Sequence, residues 1–251
     1  MPLVVSAPAK VNLFLHVTGR RDDGYHTLES LFALVDLADT ITLEAREDGA
    51  ILRSNDVPGV PEDDDLAVRA ARALQRASGM RRGVSISVEK AIPMGAGLGG
   101  GSSDAASTLF ALNRLWSLAL PRSALIELGA TLGADVPFFL FGEPALARGI
   151  GEQLTAMTLP TTFLALAFPD AQVATGAIFA APELTRSTPS AKIEVFSEGY
   201  GRNDLAGATC TRHPAVASAL AELTRVSPQA RMTGSGACVF APFAREVDAR
   251  S

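Results

Sequence analysis

Five of the seven residues from 95 to 101 are glycine, inside the run Pro93-Met94-Gly95-Ala96-Gly97-Leu98-Gly99-Gly100-Gly101-Ser102-Ser103-Asp104. Ordering that many glycines costs roughly 3–5 kcal/mol in chain entropy relative to alanine, against a net stability of about 5–15 kcal/mol. An anion held by bare backbone N–H groups at the start of a helix would offset such a cost. Ser102 and Ser103 are suited to cap that helix, and Asp104 to its first turn. Two further residues could do chemistry beside a phosphate. Asp135 adjoins Val136-Pro137-Phe138-Phe139; partly desolvated there, it could orient a hydroxyl and accept its proton. Lys10 is one of three lysines in a chain with 19 arginines and sits among apolar neighbours. Its cation could hold a carboxylate ionised or stabilise developing alkoxide charge. From the residues alone, each keeps an ordinary alternative: Asp135 a helix cap or turn, Lys10 a surface lysine on a strand.

The flanking sequence supplies the elements to position the glycine run. Val84-Ser85-Ile86-Ser87-Val88 alternates apolar and polar residues and reads as a strand. Ala105, Ala106, Leu109, Leu112 and Leu115 follow with helical spacing. The layout is strand, glycine loop, helix. It is not a Walker A loop, because no lysine follows a glycine. The pattern G-x-G-x-x-G does match at Gly95, Gly97 and Gly100, but no acidic residue stands near 117–123 and no strand pattern precedes that stretch, so a dinucleotide site is disfavoured. A flexible linker would not sit between a strand and a helix.

Elsewhere, 3–5 and 11–17 read as strands flanking Ala7-Pro8-Ala9-Lys10, and 20–24 is a polar turn. Residues 28–35 are helix or strand by pattern, 40–45 a strand, and 65–77 an amphipathic helix. Pro121 opens a helix to about 129; Leu132-Gly133-Ala134-Asp135-Val136-Pro137 precedes an aromatic strand or turn. A strand is expected at 162–168, a helix from 176, an exposed loop at 187–190, a helix at 214–224, and a strand, glycine turn and strand at 231–240. The texture changes near 149–151, which sets the expected boundary between domains 1–150 and 151–251.

Composition bounds the function. With 47% hydrophobic and 20% charged residues the chain is globular, and a net charge of −5 argues against a general nucleic-acid surface. Cys210 and Cys238 fit no metal or redox spacing and are expected to be reduced. His16, His26 and His213 are too scattered to suggest zinc. No secretory signal and no apolar run of membrane-spanning length is expected, so the chain reads as cytoplasmic.

Three separated motifs, Pro8-Ala9-Lys10-Val11-Asn12-Leu13, residues 93–104, and Thr233-Gly234-Ser235-Gly236-Ala237, resemble in this order the galactokinase, homoserine, mevalonate and phosphomevalonate (GHMP) kinase superfamily. Asn12-Leu13-Phe14-Leu15, Gly24-Tyr25-His26-Thr27-Leu28, Gly97-Leu98-Gly99-Gly100-Gly101-Ser102-Ser103 and Leu132-Gly133-Ala134-Asp135-Val136-Pro137 resemble, within it, the 4-diphosphocytidyl-2-C-methyl-D-erythritol kinase family. The resemblance implies a two-domain α+β fold: an N-terminal ribosomal-protein-S5-domain-2-like domain and a C-terminal ferredoxin-like α/β sandwich. It also implies that the second domain is truncated, because relatives continue past Ala237-Cys238-Val239-Phe240 with a helix and a terminal strand. Chemically it implies transfer of a phosphoryl group from ATP to the 2-hydroxyl of the methylerythritol unit, in the non-mevalonate route to isoprenoids. Lys10 and Asp135 would be catalytic. Lys90 and the residues from Pro93 to Asp104 would bind ATP, with Asp65 near the adenine. Tyr25, His26 and Phe179 would form a cytosine pocket, Asn12 and Thr175 would bond the erythritol or its diphosphate, and Gly234 and Ser235 would close the phosphate region. Magnesium is expected as the bridge between phosphates, with its ligands unknown. The partner is a small molecule, with no nucleic acid and no membrane, for a monomer or homodimer. A sister kinase with another alcohol, or an inactive nucleotide-binding regulator, are the alternatives.

Overall fold

The computed structural model describes residues 1–190 and 200–250. In chain order the elements are β1 (Leu3–Arg20), β2 (His26–Arg46), β3 (Ile51–Arg53), α1 (Leu66–Ser78), β4 (Gly83–Glu89), α2 (Gly100–Leu115), α3 (Arg122–Ala130), α4 (Val136–Phe141), β5 (Ala145–Arg148), β6 (Gln153–Ala156), β7 (Phe163–Ala167), α5 (Thr175–Phe179), α6 (Ala206–Arg212), α7 (Pro214–Val226), β8 (Arg231–Met232), β9 (Val239–Phe243) and α8 (Glu246–Ala249). The separate strands expected at 3–5 and 11–17 are one strand. Those at 28–35 and 40–45 are also one, and the ambiguous 28–35 is therefore extended. The aromatic segment after Asp135 is a helix rather than a strand. Pro137 sits in its first turn, where a missing N–H costs nothing, and Gly142 ends it in the left-handed region (φ +81°).

The chain forms two compact units, one of Met1–Ala9, Leu34–Ile92 and Gly99–Glu143, the other of Lys10–Ala33, Pro93–Leu98 and Pro144–Ser251. In the first unit β4 runs parallel to β3 and antiparallel to the C-terminal half of β2, with Thr40 opposite Glu89 and Arg46 opposite Gly83. Helix α2 packs on α1 and α4. Ile41, Leu43, Val84 and Ile86 of the strands and Val68, Leu74, Leu109, Leu112 and Phe138 of the helices are all buried. Each such side chain contributes about 1.5–3 kcal/mol of transfer free energy.

In the second unit the N-terminal half of β2 pairs with β5, Ser30 opposite Ala147, and β5 pairs with β6. A separate sheet has the order β7-β9-β8. Its core joins Leu15, Val17, Ile178, Leu184, Leu205, Val216, Met232 and Val239. The 187–190 segment is a loop, as expected, exposed at Ser187, Pro189 and Ser190 but anchored at both Thr188 and Ser190. Thr188 is buried and donates to Asp204 Oδ2 (2.7 Å), and Ser190 donates to Glu29 Oε1 (3.1 Å).

Candidate active site

In the second unit, residues 96–98 of the glycine loop are held from two directions. Lys10 N donates to Leu98 O (3.0 Å) on one side, and Cys238 N donates to Ala96 O (3.1 Å) on the other. Between these anchors Gly97 has φ +76°, and a Cβ there would lie 2.7 Å from Thr233 O and 3.0 Å from Gly236 O. Glycine is required at 97 by close backbone approach as well as by conformation. The two glycine motifs, far apart in sequence, are thus packed backbone to backbone.

Lys10 is buried; its Nζ donates to Asn12 Oδ1 (2.8 Å) and lies 4.8 Å from the centroid of the Phe32 ring. This sets aside the surface-lysine alternative. Asn12 is also buried, and Gly234 N (3.0 Å) and Thr233 Oγ1 (3.2 Å) both donate to its Oδ1. Its Nδ2 donates to Ser30 Oγ (2.8 Å) and its backbone N to Thr233 Oγ1 (2.9 Å). Asn12 therefore organises the lysine and the second turn at once. Asn203 Nδ2 fixes that turn from beneath, donating to Met232 O and Gly234 O at 2.8 Å each. Thr175 Oγ1 and Ser235 Oγ share a hydrogen bond of 2.7 Å.

The rings of His26 and Phe179 lie 5.2 Å apart at 30°, a tilted aromatic pair in mutual contact. Tyr25 is exposed. Arg186, which the sequence reading did not single out, donates from Nε to His26 Nε2 (3.0 Å). Burial first, then Arg186 and Arg20, pushes the His26 imidazole below its usual value, so it is neutral at physiological pH.

In the first unit the loop continues into α2 through Gly99, in the left-handed region at φ +72°. No side chain caps this helix: Ser102 and Ser103 lie inside it, and Ser103 Oγ donates to Pro8 O (2.6 Å) instead. The capping expected from the serines is thus replaced by a glycine that turns the chain. An uncapped helix start keeps its N–H groups and its positive end for an anion.

Lys90 and Asp104 are brought together with Asp39. Lys90 Nζ donates to Asp39 Oδ2 (2.5 Å) and to Asp104 Oδ2 (2.6 Å), and the backbone N–H groups of Ala91 and Ile92 donate to Asp39 Oδ1 at 2.6 and 2.8 Å. Asp39 thereby holds the chain just before the loop, while Lys90 reaches the first turns of α2. Asp65 caps α1, accepting from Ala67 N (2.9 Å), and pairs with Arg53 (2.9 Å). Asp104 is 4% exposed, and its Oδ1 has no hydrogen-bond partner among the described residues. Burial, opposed by Lys90 and reinforced by Asp39, pushes its carboxyl up to about 7.

A value so far above the ordinary 3.8 means that the folded protein keeps a proton that the unfolded chain has already released. Stability from this group is complete below about pH 4 and falls as pH rises toward 7. Asp104→Asn, with no proton to lose, is expected to raise the melting temperature by roughly 5 °C at pH 8. The gain should vanish near pH 4; thermal unfolding across that range checks it, and an equal shift at both ends contradicts it.

Asp135 stands at the N-cap position of α4, half-buried, and its side chain does not cap the helix. The carboxylate is therefore not spent on the role that a turn or cap aspartate would have. Cys210 and Cys238 are free thiols, and burial raises both.

A family model described as GHMP kinases N terminal domain matches residues 65–143. A 4-diphosphocytidyl-2-C-methyl-D-erythritol kinase of Cupriavidus metallidurans is 54% identical over 249 residues, covering 97% of this chain and 85% of the relative. One from Thiobacillus denitrificans is 57% identical over 245 residues, covering 98% and 88%. Among solved structures, a 4-(cytidine 5'-diphospho)-2C-methyl-D-erythritol kinase superimposes with a TM-score of 0.86 at 37% identity, over 99% of this chain and 92% of that one. The mevalonate kinase of Methanococcus jannaschii, at 15% identity and a TM-score of 0.68 over 100% and 93% of the two chains, shares the fold.

Proposed function

Because this chain belongs to the 4-diphosphocytidyl-2-C-methyl-D-erythritol kinase family of the GHMP kinases, we propose that Asp135 and Lys10 carry its phosphoryl transfer. The protein is an ATP-dependent kinase of isoprenoid precursor synthesis, with a two-domain α+β fold. It moves a phosphoryl group from ATP to the 2-hydroxyl of 4-diphosphocytidyl-2-C-methyl-D-erythritol. Asp135 orients that hydroxyl and takes its proton, and Lys10 neutralises charge on the transferring group. Phosphoryl transfer asks for positioning and charge neutralisation rather than covalent help, and this residue set offers both.

The residues from Pro93 to Asp104, with Lys90, hold the nucleotide through backbone N–H groups and the uncapped start of α2. His26, Phe179 and Tyr25 receive the cytosine; Asn12, Thr175, Gly234 and Ser235 line the path of the erythritol and its diphosphate. In this reading 1–150 carries the loop and Asp135, and 151–251 carries Thr175, Phe179 and the second glycine turn. Magnesium would accompany ATP and supply charge neutralisation on its phosphates. Among the described residues no group of three or more His, Cys, Asp or Glu side chains is arranged to hold a metal. No helix among the described residues is long and apolar enough to cross a membrane, in keeping with a cytoplasmic enzyme.

The observation that carries this reading is the packing of Gly97 against the 233–236 turn, with the buried Lys10 on the same anchored edge. The test is ATP-dependent phosphorylation of 4-diphosphocytidyl-2-C-methyl-D-erythritol by the 251-residue chain, followed by mass spectrometry. A product heavier by one phosphoryl group is expected. A folded, ATP-binding sample that phosphorylates mevalonate or homoserine instead overturns the substrate assignment, and one that phosphorylates none of them overturns the enzyme.

A further inference from the structure

We infer that Arg186 is a positioning residue that sets which proton His26 offers to the substrate, making the imidazole a hydrogen-bond donor through Nδ1. The inference rests on the reading of His26 and Phe179 as the base pocket. Its geometry is independent of that reading. Arg186 is tied down at every reach of its guanidinium. Nη1 donates to Leu184 O (3.1 Å), Nη2 donates to Phe179 O (3.0 Å) and Ala181 O (2.6 Å), and Nε donates to His26 Nε2 (3.0 Å). Guanidinium has donors only. Nε2 must therefore present its lone pair, and the single proton of a neutral imidazole resides on Nδ1. The charged groups acting on the ring are Arg186 and Arg20, and both disfavour a second proton.

The same side chain reaches the C-terminal end of α5 through Phe179 O and Ala181 O. One residue therefore fixes both members of the aromatic pair, the ring orientation of His26 through its nitrogen and the backbone that carries Phe179. An imidazole locked as a donor reads an acceptor on the edge of a planar base. Cytosine presents acceptors at N3 and O2; uracil carries a proton at N3, which would face the Nδ1–H. Arg186 thus contributes to discrimination between cytidine and uridine ligands without touching either.

The test uses the full chain with uniformly 15N-labelled histidine. The expected spectrum of the ligand-free protein shows His26 as the Nδ1–H tautomer from pH 6.5 to 8.5. Arg186→Met, which keeps the length and loses the donors, is expected to release the tautomer and raise the pH at which His26 takes a second proton. It should also raise KM for the cytidyl substrate about tenfold, with kcat and the KM for ATP within about twofold of the parent. Arg186→Lys, which restores one donor, should recover part of the tautomer preference. Discrimination is read with cytidine and uridine diphosphates as competing ligands, and the ratio should fall in Arg186→Met. An Nε2–H or doubly protonated His26 in the parent, or an unchanged tautomer in Arg186→Met, overturns the inference. If Arg186→Met loses ATP affinity as well, the lysine variant and the parent spectrum still decide it. Failure of the parent to phosphorylate the cytidyl substrate, with His26 in the expected tautomer, strikes the functional reading and leaves this one standing.

Discussion

Asp135→Asn is expected to lower kcat by about 10²–10⁴-fold, the usual contribution of a positioned general base, while ATP affinity and melting temperature stay at parental values. Asp135 occupies the N-cap position of α4 without bonding to it through its side chain, so helix capping is not at stake. Asparagine is also as good a residue as aspartate at a helix start. What changes is the ability to accept a proton from the attacking hydroxyl. Single-turnover phosphorylation beside calorimetric ATP titration separates the two. An unchanged kcat would remove Asp135 from the chemistry, and a parallel loss of ATP binding would recast it as a nucleotide-positioning group.

Gly97→Ala is expected to reduce kcat/KM for ATP at least 100-fold and to destabilise the fold by about 2–4 kcal/mol, whereas Gly95→Ala should cost about 1–2 kcal/mol. Both glycines lie in the left-handed region, at φ +76° and +70°, so alanine is strained at either. Only at 97 would the new Cβ press on backbone carbonyls, those of Thr233 and Gly236, whereas nothing lies within 4 Å at 95. The loop has little freedom to retreat, because Ala96 O and Leu98 O are both bonded across to neighbouring backbone. Denaturant unfolding and steady-state kinetics on the two variants isolate the cost of close approach from the cost of conformation. Equal effects would mean that the two glycine turns are free to separate.

The strand, glycine loop and helix were legible because periodicity and glycine content are local signals. So was α1, whose Asp65 cap and closing Gly79 bracket its apolar stripe. The start of α2 was misread for a physical reason: serines near a helix start usually cap it, but here a left-handed glycine turns the chain and Ser103 is drawn to a carbonyl of β1. The Phe138-Phe139-Leu140-Phe141 run reads as strand or turn because aromatic residues favour strands, and burial in a helical layer overrides that preference. Asp39 and Arg186 were not found at all. Their partners, Lys90 and His26, lie 51 and 160 residues away, and a lone charged residue in an apolar or loop segment carries no periodic or motif signal.

The oxygen of Asn12 that receives Lys10, Thr233 and Gly234 also sets an order of events during synthesis. It joins positions 221 and 222 residues apart, within a unit assembled from the early segment Lys10–Ala33 and the late segment Pro144–Ser251. The first unit has all of its residues once Glu143 has been made. The second cannot close until the 233–236 turn leaves the ribosome, roughly 10–40 s after Lys10–Ala33 at about 5–20 residues per second. Through that interval Phe14, Leu15, Val17 and Leu31 await their native cover, because each packs in a cluster that includes residues made later. The nascent chain therefore carries an uncovered apolar ribbon beside a unit whose residues have all been made, and it is in this window that a chaperone binding apolar segments would have most to hold.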